Sequence, residues 1–309
     1  MENSGDNTPR CIVAVLGRKG GVGKTSLVHS LALRMVQRGL RVGLLDADIC
    51  CPTAHSQLLP PGTARDIRYG QKEGWIPVSV PLSKEHLAEG GGGGESTSAD
   101  EEQAGGDSDG PKGSRLKLFS MSMLVPDDHP ASYAWLPHRK RSLIEQFMSN
   151  VVWGPLDVLV VDTPPSIGEV HTALLDCLRR SKSSASVVLV GEEGSASSAA
   201  GTESDIIFCA AQRLRMAGIV EYKVKHETPK PPASGSDAKS EEGGDPDVAA
   251  AAARQLGDGS GLLRGISTKY NVPLLAQLPR RGFQIPSGIE ADMLDGVIDA
   301  IRRDIEEPL

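Results

Sequence analysis

The chain predicts an α/β fold: a doubly wound, mostly parallel sheet with helices on both faces. Three observations carry this. Apolar runs of strand length alternate with helical patterns, the order that builds parallel β-α-β units. Those runs are nearly continuous in Val, Ile and Leu, as strands covered on both faces require. The first run is joined to the first helical pattern by GRKGGVGKTS (17–26), a glycine-rich loop of the kind that brings backbone N–H groups to an anion.

The elements follow in order. CIVAVL (11–16) is the first strand, and a helix runs from Lys24 to about Arg38, where Gly39 stops it. RVGLLD (41–46) is the second strand, followed by a polar, Pro-rich loop. RLKLFSM (115–121) reads as a strand and LPHRKRSLIEQFMSNVV (136–152) as a helix with Leu143, Ile144 and Phe147 on one face. DVLVVD (157–162), SVVLV (186–190), AGIVEY (217–222) and VPLLAQL (272–278) complete the strands, with helical stretches between them. The tail ADMLDGVIDAIRRDIEEPL (291–309) is amphipathic but acidic and reads as a helix packing on the domain.

Two segments break this pattern. Residues 88–114 hold nine glycines and a net charge of −6, and residues 227–247 have a net charge of −4. Subtracting both from the total of −7 leaves about +3 for the remainder, so the acidity belongs to two inserts that have little to bury. The expected organisation is a flexible N-terminus (1–10) and a single domain (11–309) with low-complexity inserts at 88–114 and 226–247. The near-neutral body gives no sign of a general nucleic-acid binder, and no apolar run approaches the roughly 20 residues of a membrane span. Five scattered cysteines without a CxxC pair fit a reducing compartment. The opening MENSGDNTPR has neither the apolar core of a secretory leader nor the Arg-rich character of a mitochondrial presequence, so a cytoplasmic protein is expected.

The loop departs by one residue from GxxxxGK[ST], because the frame ending in Gly23-Lys24-Thr25 begins at Arg18. The rest fits a P-loop NTPase. Gly20, Gly21, Val22 and Gly23 supply the loop backbone, Lys24 is placed to reach the β- and γ-phosphates, and Thr25, followed by Ser26, supplies a hydroxyl for Mg²⁺. Asp46 and Asp48, at i and i+2 where the second strand ends, can face the same phosphate crevice. Asp48 is expected to orient or activate the attacking water, Asp46 to support the magnesium shell, and Asp162 in VVDTPP to hold Mg²⁺ through water. Asp at a strand end can also simply cap the next turn.

KGGVGKT resembles the deviant Walker A motif, shared by the MinD and ParA ATPases, the nitrogenase iron protein and the Mrp/ApbC-type iron–sulfur cluster carriers. The resemblance implies a second role for lysine: Lys19 stands where the family's signature lysine reaches across a nucleotide-sandwich dimer to the partner's phosphates. DADI-x-x-P-[ST] (46–53) and D-T-P-P-x-x-x-[DE]-x-H (162–171) are similar to the Mrp and cytosolic NBP-type carriers. The likeness spans about 11–56, 115–225 and 255–280.

The resemblance also exposes departures. The family's CPxC pair, which bridges a [4Fe–4S] cluster between subunits, would fall in VEYKVKHETPKPP, and no cysteine occurs after Cys209. The family's adenine-contacting Asn would fall near Tyr222, the glycine after the switch prolines is Ser166, and Arg280 stands where an acidic residue is common. Cys50 and Cys51 read as ordinary buried thiols, and His55, His129, His138 and His171 as surface or cap residues.

The expectation is Mg²⁺-dependent binding and slow hydrolysis of a nucleotide, with ATP and Mg²⁺ as cofactors and no [4Fe–4S] cluster on this chain alone. The chain would be a dimerising switch in iron–sulfur cluster assembly, as a homodimer or as a heterodimer with a cluster-carrying paralogue, with assembly factors as further partners and neither nucleic acid nor membrane. The alternatives are a nucleotide-gated adaptor carrying no metal, and a MinD/ParA-like positioning ATPase.

Overall fold

The computed structural model describes residues 7–59, 68–70, 74–82, 115–124, 137–223, 261–280 and 289–306. Both expected low-complexity inserts lie outside them. The elements are β1 (Cys11–Leu16), α1 (Lys24–Gln37), β2 (Val42–Asp46), α2 (Ala54–Leu58), β3 (Arg68–Gly70), β4 (Gly74–Ile76), β5 (Val78–Ser79), β6 (Leu116–Ser120), α3 (Pro137–Asn150), β7 (Val158–Asp162), α4 (Glu169–Arg180), β8 (Ser184–Glu192), α5 (Ala196–Ala211), β9 (Met216–Lys223), α6 (Leu262–Tyr270), β10 (Leu274–Pro279) and α7 (Ile289–Glu306).

Eight strands form one sheet in the order β10-β9-β8-β1-β7-β2-β6-β5. All neighbours are parallel except β5, which runs antiparallel on β6 at the edge. β3 and β4 pair separately as an antiparallel ribbon. The continuous apolar strands have the predicted consequence. Along β1, Cys11, Val13 and Val15 enter one core layer with α1, α2 and α7, while Ile12, Ala14 and Leu16 enter a second with α3, α4 and α5. Helices therefore cover both faces.

The acidic tail packs as expected. Leu294, Val297, Ile298 and Ile301 of α7 are buried in the core layer that holds α1. Arg34 of α1 donates Nε and Nη2 to the two carboxylate oxygens of Asp295 at 2.9 and 2.7 Å, and Arg38 meets Asp299 at 2.9 Å. The acidic stripe of α7 thus answers the basic end of α1. With α1 held from outside and β1 flanked by β7 and β8, the loop between β1 and α1 sits at the carboxyl edge of the sheet, where such folds bind ligands.

Candidate functional site

The loop from Gly17 to Gly23 leaves β1 and turns into α1 through two left-handed glycines, Gly21 (φ 71°) and Gly23 (φ 105°). Gly23 is doubly constrained. A Cβ there would lie 2.7 Å from the ring of Tyr222, so the residue where the family's Asn would fall packs its ring against the loop. Lys24, in the first turn of α1, is buried and its Nζ donates to the Lys19 carbonyl at 3.5 Å. Burial pushes its pKa below the ordinary lysine value, against the opposing pull of Asp162, Asp48 and Asp205. A desolvated ammonium in a loop of backbone donors is a site for a polyanion.

The sheet register sets the carboxylates. Asp46 and Asp162 are direct partners across β2 and β7, and Asp162 pairs with Val15 of β1. Thr25 donates its hydroxyl to Asp162 Oδ2 at 2.6 Å. The other oxygen, Oδ1, is buried with no hydrogen-bond partner among the described residues. Burial first, and Asp46 second, push the Asp162 carboxyl up to about 7. A buried carboxylate with a spare oxygen, a like charge beside it and a hydroxyl in contact fits a divalent cation, which would satisfy the orphan oxygen and restore ionisation.

Asp46 is held by the protein on both of its oxygens. Its Oδ1 accepts from the Asp48 amide at 3.1 Å, and its Oδ2 accepts at 3.1 Å from the Thr53 amide, the Ala54 amide and the Ser120 hydroxyl. Through these contacts the carboxylate anchors the loop after β2, beside the residues that would hold a cation. Burial raises its pKa to about 6. Asp48, half-buried, is carried on that loop, and its Oδ1 accepts from the Cys51 amide at 3.1 Å.

Two expectations are overturned. Cys50 and Cys51 are both exposed, because the chain bends at 49–51 over the carboxyl edge; the buried thiols are Cys11 and Cys209. His171 is no surface cap. It is buried in the first turn of α4 with Nδ1 unpartnered among the described residues, and burial, then the charges of Lys24 and Arg18, hold its pKa down at about 4. His55 and His129 offer no described side chain, and His138 is exposed.

The structure adds residues that the motifs did not name. Glu192, at the end of β8, is buried and accepts from both Lys19 and Arg280. Arg18, at the position that breaks the strict loop pattern, donates Nε to buried Asp205 of α5 at 3.2 Å. Thr163 donates its hydroxyl to the Val15 carbonyl at 2.7 Å, tying the start of the switch to β1. Ser166 holds φ 68°, the left-handed geometry that a glycine would adopt. A signal for Glu192 exists in the sequence, an acidic residue ending an apolar strand; nothing local marks Asp205, which sits mid-helix.

A lysine-bearing glycine loop at the carboxyl edge of a doubly wound parallel sheet, with Thr25 on Asp162, defines a P-loop nucleoside-triphosphate-binding protein. Among solved structures the fold matches a nucleotide-binding protein of Archaeoglobus fulgidus in complex with ADP, with 22% identity, a TM-score of 0.55, and 98% of this chain and 90% of that chain covered. It also matches the cell-division ATPase MinD of Pyrococcus furiosus, with 14% identity, a TM-score of 0.52, and 95% and 99% covered. The chain belongs to the ParA family, in the group described as NUBPL iron-transfer P-loop NTPase, whose model matches residues 8–87 and 96–240.

Relatives include the cytosolic Fe-S cluster assembly factor NUBP2 of Bos taurus, 34% identical over 69% of this chain and 65% of that protein. Another is the cytosolic Fe-S cluster assembly factor CFD1 of Kluyveromyces lactis, 30% identical over 68% and 62%. The chain thus spans a little under two thirds of the length of these relatives.

Proposed function

We propose that this chain binds ATP with Mg²⁺, hydrolyses it slowly, and serves as a dimerising switch in iron–sulfur cluster assembly. The observation that carries the reading is the contact between Thr25 and Asp162 beside buried Lys24, with Asp162 Oδ1 left to receive a ligand. Lys24 and the amides of Gly20–Thr25 bind the phosphates. Thr25 and Asp162 hold the cation, whose chemistry is to neutralise charge between the phosphates. Asp48, fixed by the loop that Asp46 anchors, orients the attacking water. Lys19, exposed at the loop's outer side, serves the partner's nucleotide when two chains meet.

The process rests on the relatives, named as cytosolic Fe-S cluster assembly factors, and so does a cytosolic location. No described helix is long and apolar enough to cross a membrane. Because VEYKVKHETPKPP, where the family's cysteine pair would fall, holds no cysteine, the cluster thiolates would come from a partner, as a paralogue or an assembly factor could supply. That same lack favours the adaptor reading, in which the nucleotide gates partner choice.

The test is equilibrium binding of a fluorescent ATP analogue, with size-exclusion in a non-hydrolysable analogue. Lys24→Ala should weaken binding at least a hundredfold, since the polyphosphate loses its main cation. Asp48→Asn should keep binding and slow turnover. Lys19→Ala should bind and fail to dimerise. Unchanged affinity in Lys24→Ala sinks the assignment.

A further inference from the structure

Arg280 is a departure that the nucleotide site does not absorb, and its guanidinium makes two contacts at once. Nη1 donates to Glu192 Oε1 at 2.8 Å, and Nη2 donates to the Gly21 carbonyl, in the phosphate loop, at 2.9 Å. The other oxygen of Glu192, Oε2, is held by Lys19. Glu192 itself is 7% exposed, whereas the side chains of Lys19 and Arg280 are 41% and 45% exposed. One buried carboxylate is therefore shared by two cations that both reach solvent.

We propose that Arg280 is a positioning residue that lets Lys19 leave Glu192. The inference rests on the reading that Lys19 acts on a partner's nucleotide. To do so Lys19 must abandon its contact with Glu192. A buried carboxylate stripped of its only cation is strongly disfavoured, so with Lys19 as sole partner the pair would hold. Arg280 removes that obstacle, because its contact on the opposite oxygen persists when Lys19 departs.

The second arm has its own use. The planar fork of a guanidinium binds Glu192 and the Gly21 carbonyl through two separate nitrogens held in one plane, where a lysine would have to reach both from a single nitrogen. Gly21 lies in the left-handed region, at a turn that its neighbours must hold in shape. Arg280 thus keeps the loop folded while the adjacent lysine moves.

The experiment measures amine labelling of Lys19 by mass spectrometry in the nucleotide-free protein, alongside dimerisation with a non-hydrolysable ATP analogue. In Arg280→Ala, Glu192 has Lys19 alone, so labelling should slow at least threefold. Dimer affinity should fall tenfold more than nucleotide affinity. Glu192→Gln removes the charge that both cations share, so the double variant Arg280→Ala/Glu192→Gln should label Lys19 faster than wild type. Arg280→Lys should recover part of the labelling rate. Circular dichroism separates these effects from loss of fold. Equal Lys19 labelling in wild type and Arg280→Ala overturns the proposal, as does a double variant that labels no faster than Arg280→Ala. A wild type that never dimerises, yet shows the labelling shift, overturns the dimer reading and leaves the charge sharing supported.

Discussion

Thr25 and Asp162 meet at 2.6 Å, joining the first turn of α1 to the last residue of β7. The contact places a neutral hydroxyl on the oxygen of a carboxylate whose other oxygen is buried and unpartnered among the described residues. That asymmetry makes a metal prediction. Asp162→Asn keeps the hydrogen-bond geometry with Thr25 and removes the charge. Nucleotide binding should then lose its Mg²⁺ dependence, with affinity in excess Mg²⁺ falling about tenfold or more, while affinity in a chelator barely changes. Titration of nucleotide in the two buffers reads the difference. Equal Mg²⁺ enhancement in wild type and variant would remove Asp162 from the cation site.

Ser166 predicts a stability gain. Its φ of 68° is a conformation that costs an L-residue with a Cβ about 1 kcal/mol and costs glycine almost nothing. Ser166→Gly should therefore stabilise the folded chain by up to about 1 kcal/mol, the conformational relief being partly offset by the greater freedom of glycine in the unfolded chain. Chemical denaturation measures it. A clear loss of stability would mean that the hydroxyl makes a contact worth more than the strain.

His171 gives the acid dependence. Its folded pKa is about 4, below the ordinary value of 6.5, because burial and the nearby Lys24 and Arg18 charges disfavour the imidazolium. The unfolded chain therefore binds this proton first as pH falls. Stability is present in full above about pH 6.5 and is lost as pH drops toward 4. His171→Gln should lack this loss, so the stability difference between wild type and variant should shift by on the order of 2–3 kcal/mol across that window. His29, held down at about 4 by burial, and Asp46 and Asp162, raised to about 6 and about 7, titrate in both proteins and cancel in the difference. A pH-independent difference would place His171 in a site that does not resist protonation.

The strands of the sheet were legible because burial on both faces leaves one signature, a run such as VLVVD, whereas the register of Asp46 with Asp162 is set by a strand order that no single run encodes. The ribbon β3–β4 and the edge strand β5 were not legible. Each is two or three residues long, too short for a periodicity, and the ribbon is held by a tertiary contact, Trp75 stacking on Phe119 with ring centres 5.6 Å apart. In the site, the phosphate loop could be read because its residues are contiguous. The partners of Asp46 could not be read, because Thr53, Ala54 and Ser120 are brought to it by the fold of a loop and a neighbouring strand. Glu192 and Arg280 stand 88 positions apart, and only the adjacency of their strands' ends to the loop unites them.

The exposure of Cys50 and Cys51 sharpens a last prediction, on iron–sulfur cargo. A bridging [4Fe–4S] cluster takes two thiolates from each subunit, directed at one point near the dimer axis. Cys11 and Cys209 are buried, and burial pushes the Cys209 thiol up to about 12, so neither is an available thiolate. Cys177 lies in the last turns of α4, toward the amino-terminal edge of the sheet and away from the phosphate loop. That leaves the adjacent pair, two consecutive residues exposed on a bend whose loop is fixed by the Asp48 and Asp46 hydrogen bonds. In the native protein Cys50 and Cys51 should therefore react quickly with a disulfide reagent, half-buried Cys177, whose pKa burial raises, more slowly, and Cys11 and Cys209 only on unfolding. Anaerobic reconstitution with iron and sulfide should give no stoichiometric cluster on the chain alone, and a cluster-bearing partner should be needed for any visible absorbance. Stoichiometric iron and sulfide that disappear in Cys50→Ser or Cys51→Ser would reverse this, and would make the bend after Asp48 a ligand site in its own right.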